Sequence, residues 1–438
     1  MLKLRFAFTA IVLFAALAHA QNPKPAAPKT AAPSKTMSAK AIHNSALIID
    51  THADTTQRLL DEEFDLANPP QGDPGHLDLA KAKAGNLGAE FFSIWVDPEK
   101  YKGQYARRTL ELIDSVYRQA EKHPDKISMA FSPADILSAR KKKKFAALMG
   151  IEGGHSIENS MGLLRDYYRL GVRYMTLTWS NTNEWADSSG DLDDKNVQHH
   201  DGMTQFGREV IREMNRLGMM VDISHVSDKT FFQTLTISRA PVIASHSSSR
   251  AITNVPRNMT DDMLRAIKDN NGVVMVNFYS GFIDEKFSAA NKAAKKDREV
   301  KQAEFDEKYK NADMKTRATA QLKLDQEFAA AIPRPPFSAL IDHIDHIAKV
   351  AGVDHVGLGS DFDGISFMLP QEIDSAADLP KITAELVKRG YSANDIHKIF
   401  GGNLMRVFRG VEKMSKQMAA EGAPAPLLPR KKMAATTK

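Results

Sequence analysis

Eight short apolar runs recur along this chain with helix-patterned stretches between them, and that alternation restricts the fold more than any other feature. They are ALIID (residues 46–50), AEFFSIWV (89–96), FAALMGI (145–151), VRYMTLT (172–178), MMVDIS (219–224), PVIAS (241–245), GVVMVNFY (272–279) and HVGLGS (355–360). Apolar runs of this kind belong to strands buried on both faces, as in a parallel sheet covered by helices. The intervening segments carry a helical period, as in MTQFGREVIREMNRLG (203–218) and SALIDHIDHIAKVAG (338–352). Eight such strands in one stretch of chain predict an α/β fold, a (β/α)8 TIM-type barrel. A doubly wound open sheet would place a glycine-rich phosphate turn after its first strand, and no such turn follows residue 50.

The two ends of the chain read differently. Lys3 and Arg5 precede the apolar stretch FAFTAIVLFAALAHA, which closes on Ala18-His19-Ala20. A basic start, an apolar run of this length and an A-x-A end predict a signal peptide over 1–20, hence a protein exported to the periplasm or secreted. The run is shorter than the roughly 20 residues a span needs. The chain has no cysteine for a lipoprotein anchor, so no stable membrane anchor is expected. Residues 21–40, rich in Pro, Ala and Lys, have almost nothing to bury and predict a disordered linker. Residues 416–438 predict a flexible basic tail, which leaves 41–415 as a single barrel domain. Between the seventh and eighth strands, residues 285–331 are charged, rich in helix formers and nearly free of Gly and Pro. They predict a helical insertion that partly covers the barrel mouth and partly decorates the surface.

Composition narrows the chemistry. The net charge of +5 is mild for 438 residues and gathers in tails and in ARKKKKF (139–145), without interleaved aromatics, which argues against a nucleic-acid partner. The absence of cysteine excludes disulfides, thiolate metal sites and cysteine nucleophiles together, so any metal must rest on His, Asp or Glu. Barrel enzymes of this type carry their chemistry at the C-terminal ends of the strands. There this sequence places His52 and Asp54 after the first strand and Glu152 after the third. His225 follows the fifth, His246 the sixth and Asp361 the eighth. Singly, each reads as a turn or cap residue, SHSSSR as a helix N-cap and Asp361 as a turn former near Gly364. Together they form an N/O ligand set suited to zinc and similar divalent ions. Side chains at i and i+2 of a strand share a face, so His52 and Asp54 can converge on one ion. Glu152 is the natural bridge to a second, and two ions about 3.5–4 Å apart can clamp an attacking oxygen.

The stretches IDTHADT, GIEGGHSIENSMGLLRDYYRLGVRYMTLTW, DISHVS, ASHSSSRAITNVPRNMTDD and VGLGSDFDG, in this order, resemble the membrane dipeptidase (renal dipeptidase) family of zinc peptidases over most of 41–410. The resemblance implies a barrel of the metal-dependent hydrolase type and an exported dinuclear zinc dipeptidase, two Zn2+ per chain, forming a homodimer. Its implied substrates are small dipeptides, those with a C-terminal D-residue included, cleaved by attack of a metal-bridging hydroxide. Carried over by position, His52 and Asp54 would bind one zinc, Glu152 would bridge, and His225 and His246 would complete the second site. Arg257, in PRNMTDD, would grip the substrate carboxylate, and Asp361 would handle the proton at the scissile nitrogen. One position departs. The family's substrate-binding histidine after TLT is Trp179 here, and an indole N–H can neither carry charge nor change tautomer. Trp179 would then line the pocket while Asn181 or Asn183 supplies a hydrogen-bond donor. The same departure keeps open a related amidohydrolase acting on another amide, ester or lactam. A non-catalytic metal-binding protein of the cell envelope is disfavoured by the complete ligand set and Asp361.

Overall fold

A computed structural model describes residues 37–423. Each of the eight expected runs forms a strand: β1 (Ile48–Ala53), β2 (Leu87–Trp95), then, after a short β3 (Ile127–Met129), β4 (Phe145–Glu152), β5 (Val172–Thr176), β6 (Met220–Asp222), β7 (Ile243–Ser247), β8 (Val273–Val276) and β9 (Val356–Leu358). All pairings are parallel, in the order β1-β2-β4-β5-β6-β7-β8-β9. The sheet nearly closes on itself: Asp54 N–H donates to the Phe362 carbonyl (2.7 Å) and Asp361 N–H to the His52 carbonyl (2.9 Å). This is the (β/α)8 architecture, and β3, paired only with β4, is an addition to it. Three residues, ISM, are too short to show a periodicity in sequence.

Helices cover the outside and take their limits from local signals. Helix Gln205–Leu217 begins where the Thr204 side chain accepts from Gly207 N–H and ends at Gly218 in the left-handed region (φ 84°). Folded structure also reaches beyond the expected domain limits of 41 and 415. Helix Ala39–Ser45 starts on a Ser38 cap, within the span expected to be linker. Helix Asn403–Ala420 runs into the span expected to be a flexible tail, held by Ser415 Oγ on the Arg216 carbonyl (2.6 Å). The signal peptide, residues 21–36 of the linker and residues 424–438 of the tail lie outside the described residues. Among the described residues no helix is long and apolar enough to cross a membrane.

Two features of the packing position the site. Gly150, two residues before Glu152 and on the same face of β4, leaves room for a ring: a Cβ there would lie 2.0 Å from Tyr174 Cζ. Tyr174 therefore crosses beneath the mouth and reaches β1. The insertion between β8 and β9 forms helices Glu285–Ala293, Lys295–Lys308 and Met314–Ala330. Phe287, Phe328 and Ile332 pack with Met368 of the loop after β9, which lays the insertion across the barrel mouth. Its other faces are solvated, so it both covers and decorates.

Candidate metal centre

His52, Asp54, Glu152, His225 and His246 meet at the C-terminal rim, brought there by β1, β4, β6 and β7. Glu152 is the hub. Its Oε2 lies 3.3 Å from His52 Nε2, while its Oε1 lies 2.8 Å from His225 Nε2 and 3.4 Å from His246 Nε2. Asp54 Oδ2 is 3.6 Å from His52 Nε2. Potential ligand atoms cluster in two overlapping groups, His52 with Glu152 and His246, and His52 with Asp54 and Asp361.

Residues behind the ligands set the tautomers. Tyr174 O–H donates to the Thr51 carbonyl (3.0 Å), so its oxygen accepts from His52 Nδ1–H (2.8 Å) and leaves the Nε2 lone pair facing the site. Ser245 does the same for His246: its hydroxyl donates to Asp222 Oδ2 (2.6 Å) and accepts from Nδ1 (2.7 Å). His246 Nε2 then faces His225 Nε2 at 2.9 Å. Ser93 Oγ donates to Glu152 Oε2 (3.2 Å), and Asn277 Nδ2 to Asp361 Oδ2 (2.8 Å). Room for the two aspartates comes from Gly364, where a Cβ would lie 2.1 Å from Asp54 Oδ2 and 2.7 Å from Asp361 Oδ1. His225 (φ 66°) and Asp361 (φ 64°) both sit in the left-handed region, a local strain of the kind that gathers at functional sites.

Burial dominates the electrostatics of the centre. Burial pushes His225 down to about 4, helped by the Arg257 charge, and burial likewise holds His246 well below the ordinary imidazole range. Burial raises Asp54 and Asp361. Burial would raise Glu152 as well, but the surrounding imidazoles outweigh it and keep the carboxylate charged. Burial disfavours charge on His52, yet Tyr174, Glu152 and Asp54 hold its pKa well above the usual value. In this buried place His52 Nε2 and Asp54 Oδ1 have no hydrogen-bond partner. A divalent cation would satisfy those atoms, and imidazole and carboxylate are the donors such ions take, so the residues present fit a metal.

Above the ligands lies a cavity of about 600 Å³, lined from the barrel by Trp95, Trp179, Arg257, Tyr279 and Phe282 among others, and roofed by the insertion. Arg257 is held by Ser247 Oγ (3.2 Å) and the His246 carbonyl (3.1 Å), with Nε unpartnered, and it stacks over Phe282. Trp179 forms a wall: its ring centroid is 5.0 Å from Trp95 and 6.4 Å from His225. Asn183 is not the donor the sequence suggests. Its Nδ2 donates to the Leu177 carbonyl and its Oδ1 accepts from Trp185 and Ala186 N–H, so its polar atoms are used in folding the loop. Asn181 does not line the cavity. Tyr174, Ser245 and Asp222 are absent from the sequence reading because each sits in or beside a strand and looks like core; only their contacts with ligand rings distinguish them.

Comparisons with known proteins point to one family. The sequence matches the family model described as membrane dipeptidase (peptidase family M19) over residues 36–422. It is similar to an uncharacterized dipeptidase of Schizosaccharomyces pombe, 35% identical over 408 residues that cover 88% of this chain and 85% of that one. It is also similar to dipeptidase verJ of Clonostachys rogersoniana, 33% identical over 357 residues and 79% of each chain. Among solved structures, the probable dipeptidase PvdM from Pseudomonas aeruginosa superposes with a TM-score of 0.71 at 25% identity, over 86% of this chain and 98% of that one.

Proposed function

The chain belongs to the membrane dipeptidase family, peptidase family M19, and from that premise we propose that it is an exported dipeptidase that works with two zinc ions. Its substrates are small dipeptides, including those with a D-residue at the C-terminal side. The observation that carries this reading is the division of Glu152, one oxygen facing His52 and the other facing His225 and His246. Such a carboxylate suits two ions side by side, with His52 and Asp54 on one and His225 and His246 on the other. Bound there, divalent ions would polarise the scissile carbonyl and would lower the pKa of water toward neutral.

The chain's own groups do the rest. Arg257 offers its guanidinium edge to the substrate's C-terminal carboxylate, the kind of fork that selects a dipeptide over a longer chain. Asp361, oriented by Asn277 and raised by its burial, takes a proton from the attacking water and passes it to the leaving nitrogen. Trp95 and Trp179 supply an apolar wall in place of a charged donor. The homodimer implied by the resemblance belongs to the same reading, and sedimentation tests it.

The decisive experiment is metal analysis joined to hydrolysis of a panel of L,L and L,D dipeptides. About two ions per chain and turnover of the panel are expected; fewer ions in well-loaded protein, or no turnover, refutes the proposal. Trp179 favours one competing reading, hydrolysis of another amide, ester or lactam. Faster turnover of such compounds than of any dipeptide would establish it.

A further inference from the structure

Arg257 lies in the loop after β7 and is anchored to the end of that strand through Ser247 Oγ and the His246 carbonyl, and the strand order puts β2 across the barrel mouth from it. A dipeptide whose carboxylate lies on Arg257 and whose peptide bond lies over the ligands therefore directs its N-terminal residue toward the β1–β2 side. Trp95 and Gln57 line the cavity on that side. The roof there comes from helix Met314–Ala330, which packs against the helix Thr55–Asp61 that follows β1. It brings Asp325 into the same cavity and into the small cleft beside it, lined by Gln57, Arg58 and Asp363.

Asp325 has no structural partner of opposite charge among the described residues. Its one hydrogen bond is from Gln321 Nε2 to Oδ1 (2.9 Å), one turn earlier on its own helix. The insertion places one other acidic group on this cavity, Glu299, and that one is paired, with Lys295. Burial raises the Asp325 carboxyl, and no neighbouring cation counters that rise. A half-buried carboxylate left without a cation in a substrate cavity is suited to a charge that arrives with the substrate.

We propose that Asp325 receives the free α-amino group of the dipeptide, so that the insertion, together with Arg257, measures both charged ends of a zwitterionic substrate. This rests on the dipeptidase reading. It assigns the insertion a role in specificity, the exclusion of peptides whose amine is acylated.

The test uses the zinc-loaded full chain and two ligands that differ only in the amine, Ala-Phe as substrate and propionyl-phenylalanine as competitive inhibitor. In Asp325→Asn, which keeps the bond from Gln321, kcat/KM for Ala-Phe should fall roughly ten- to a hundredfold, the range of one charge-assisted contact. The loss should appear in KM, with kcat changed less than about threefold. The inhibition constant of propionyl-phenylalanine should stay within about twofold, because it has no amine to lose. Asp325→Glu should restore part of the loss, as a displaced fold would not. An unchanged KM for Ala-Phe, or equal losses for both ligands, overturns the role of Asp325 and leaves the dipeptidase reading standing. Absence of dipeptide turnover by the wild-type enzyme overturns both.

Discussion

At the scale of single residues, the centre separates groups that hold charge from groups that hold geometry. Glu152 does both, and Glu152→Gln keeps the shape while removing the charge shared by both halves of the site. Metal content should fall below about one ion per chain, with hydrolysis lost, as read by elemental analysis of the purified protein. Asp361→Asn should behave differently. Metal should remain while kcat drops roughly 10²–10⁴-fold, the usual reach of a positioned proton carrier. An Asp361 variant with unchanged kcat would remove that residue from the proton path. Tyr174 only orients: Tyr174→Phe deletes the oxygen that fixes the His52 tautomer. Its metal affinity should weaken roughly 10–100-fold in a chelator titration, with the fold retained.

At the scale of elements, β4 and β5 must be fitted to each other for the site to exist. Gly150 leaves the space that the Tyr174 ring fills. Gly150→Ala forces that ring, and His52 with it, to move. Destabilisation of about 1–3 kcal/mol by urea titration is expected, with a loss of metal affinity larger than the stability change alone explains. These relations also show what was legible in advance. The strands announced themselves because burial on both faces makes each run predominantly apolar, even where it carries a buried polar residue such as Glu90, Arg173 or Asp222. Their ends did not: β1 continues through His52 to Ala53, so His52 lies within the ladder rather than after it. Asn183 shows the opposite limit. A polar residue after a strand looks available for a ligand until its hydrogen bonds are counted.

At the scale of the whole molecule, distant segments are tied through buried polar groups whose ionisation affects stability. His343, in helix Phe337–Ala351, accepts Ser249 N–H at Nδ1 (2.9 Å) and its Nε2 faces the Ile283 carbonyl. Burial holds its pKa down at about 4, against 6.5 for an unperturbed histidine. Between those values the unfolded chain binds more protons than the folded one. Stability should therefore fall as pH drops from about 6.5 toward 4, by a contribution on the order of 3 kcal/mol. His343→Gln should be less stable at pH 7 but show a flatter dependence over that window. Urea unfolding at pH 5 and pH 7 in both proteins measures the difference, and parallel profiles would exclude His343 as the titrating group.

The sequence by itself determined the barrel, the rim and the identities of the residues gathered there. A strand buried on both faces has one kind of sequence, and a metal site without cysteine has few residue types to use. Tertiary structure alone decided how those residues act. The two faces of Glu152, the tautomers set by Tyr174 and Ser245, and the approach of Asp325 to the cavity all join positions far apart in the chain. Such contacts leave no periodicity and no local motif, because each depends on which strand lies beside which and on where a long insertion folds back.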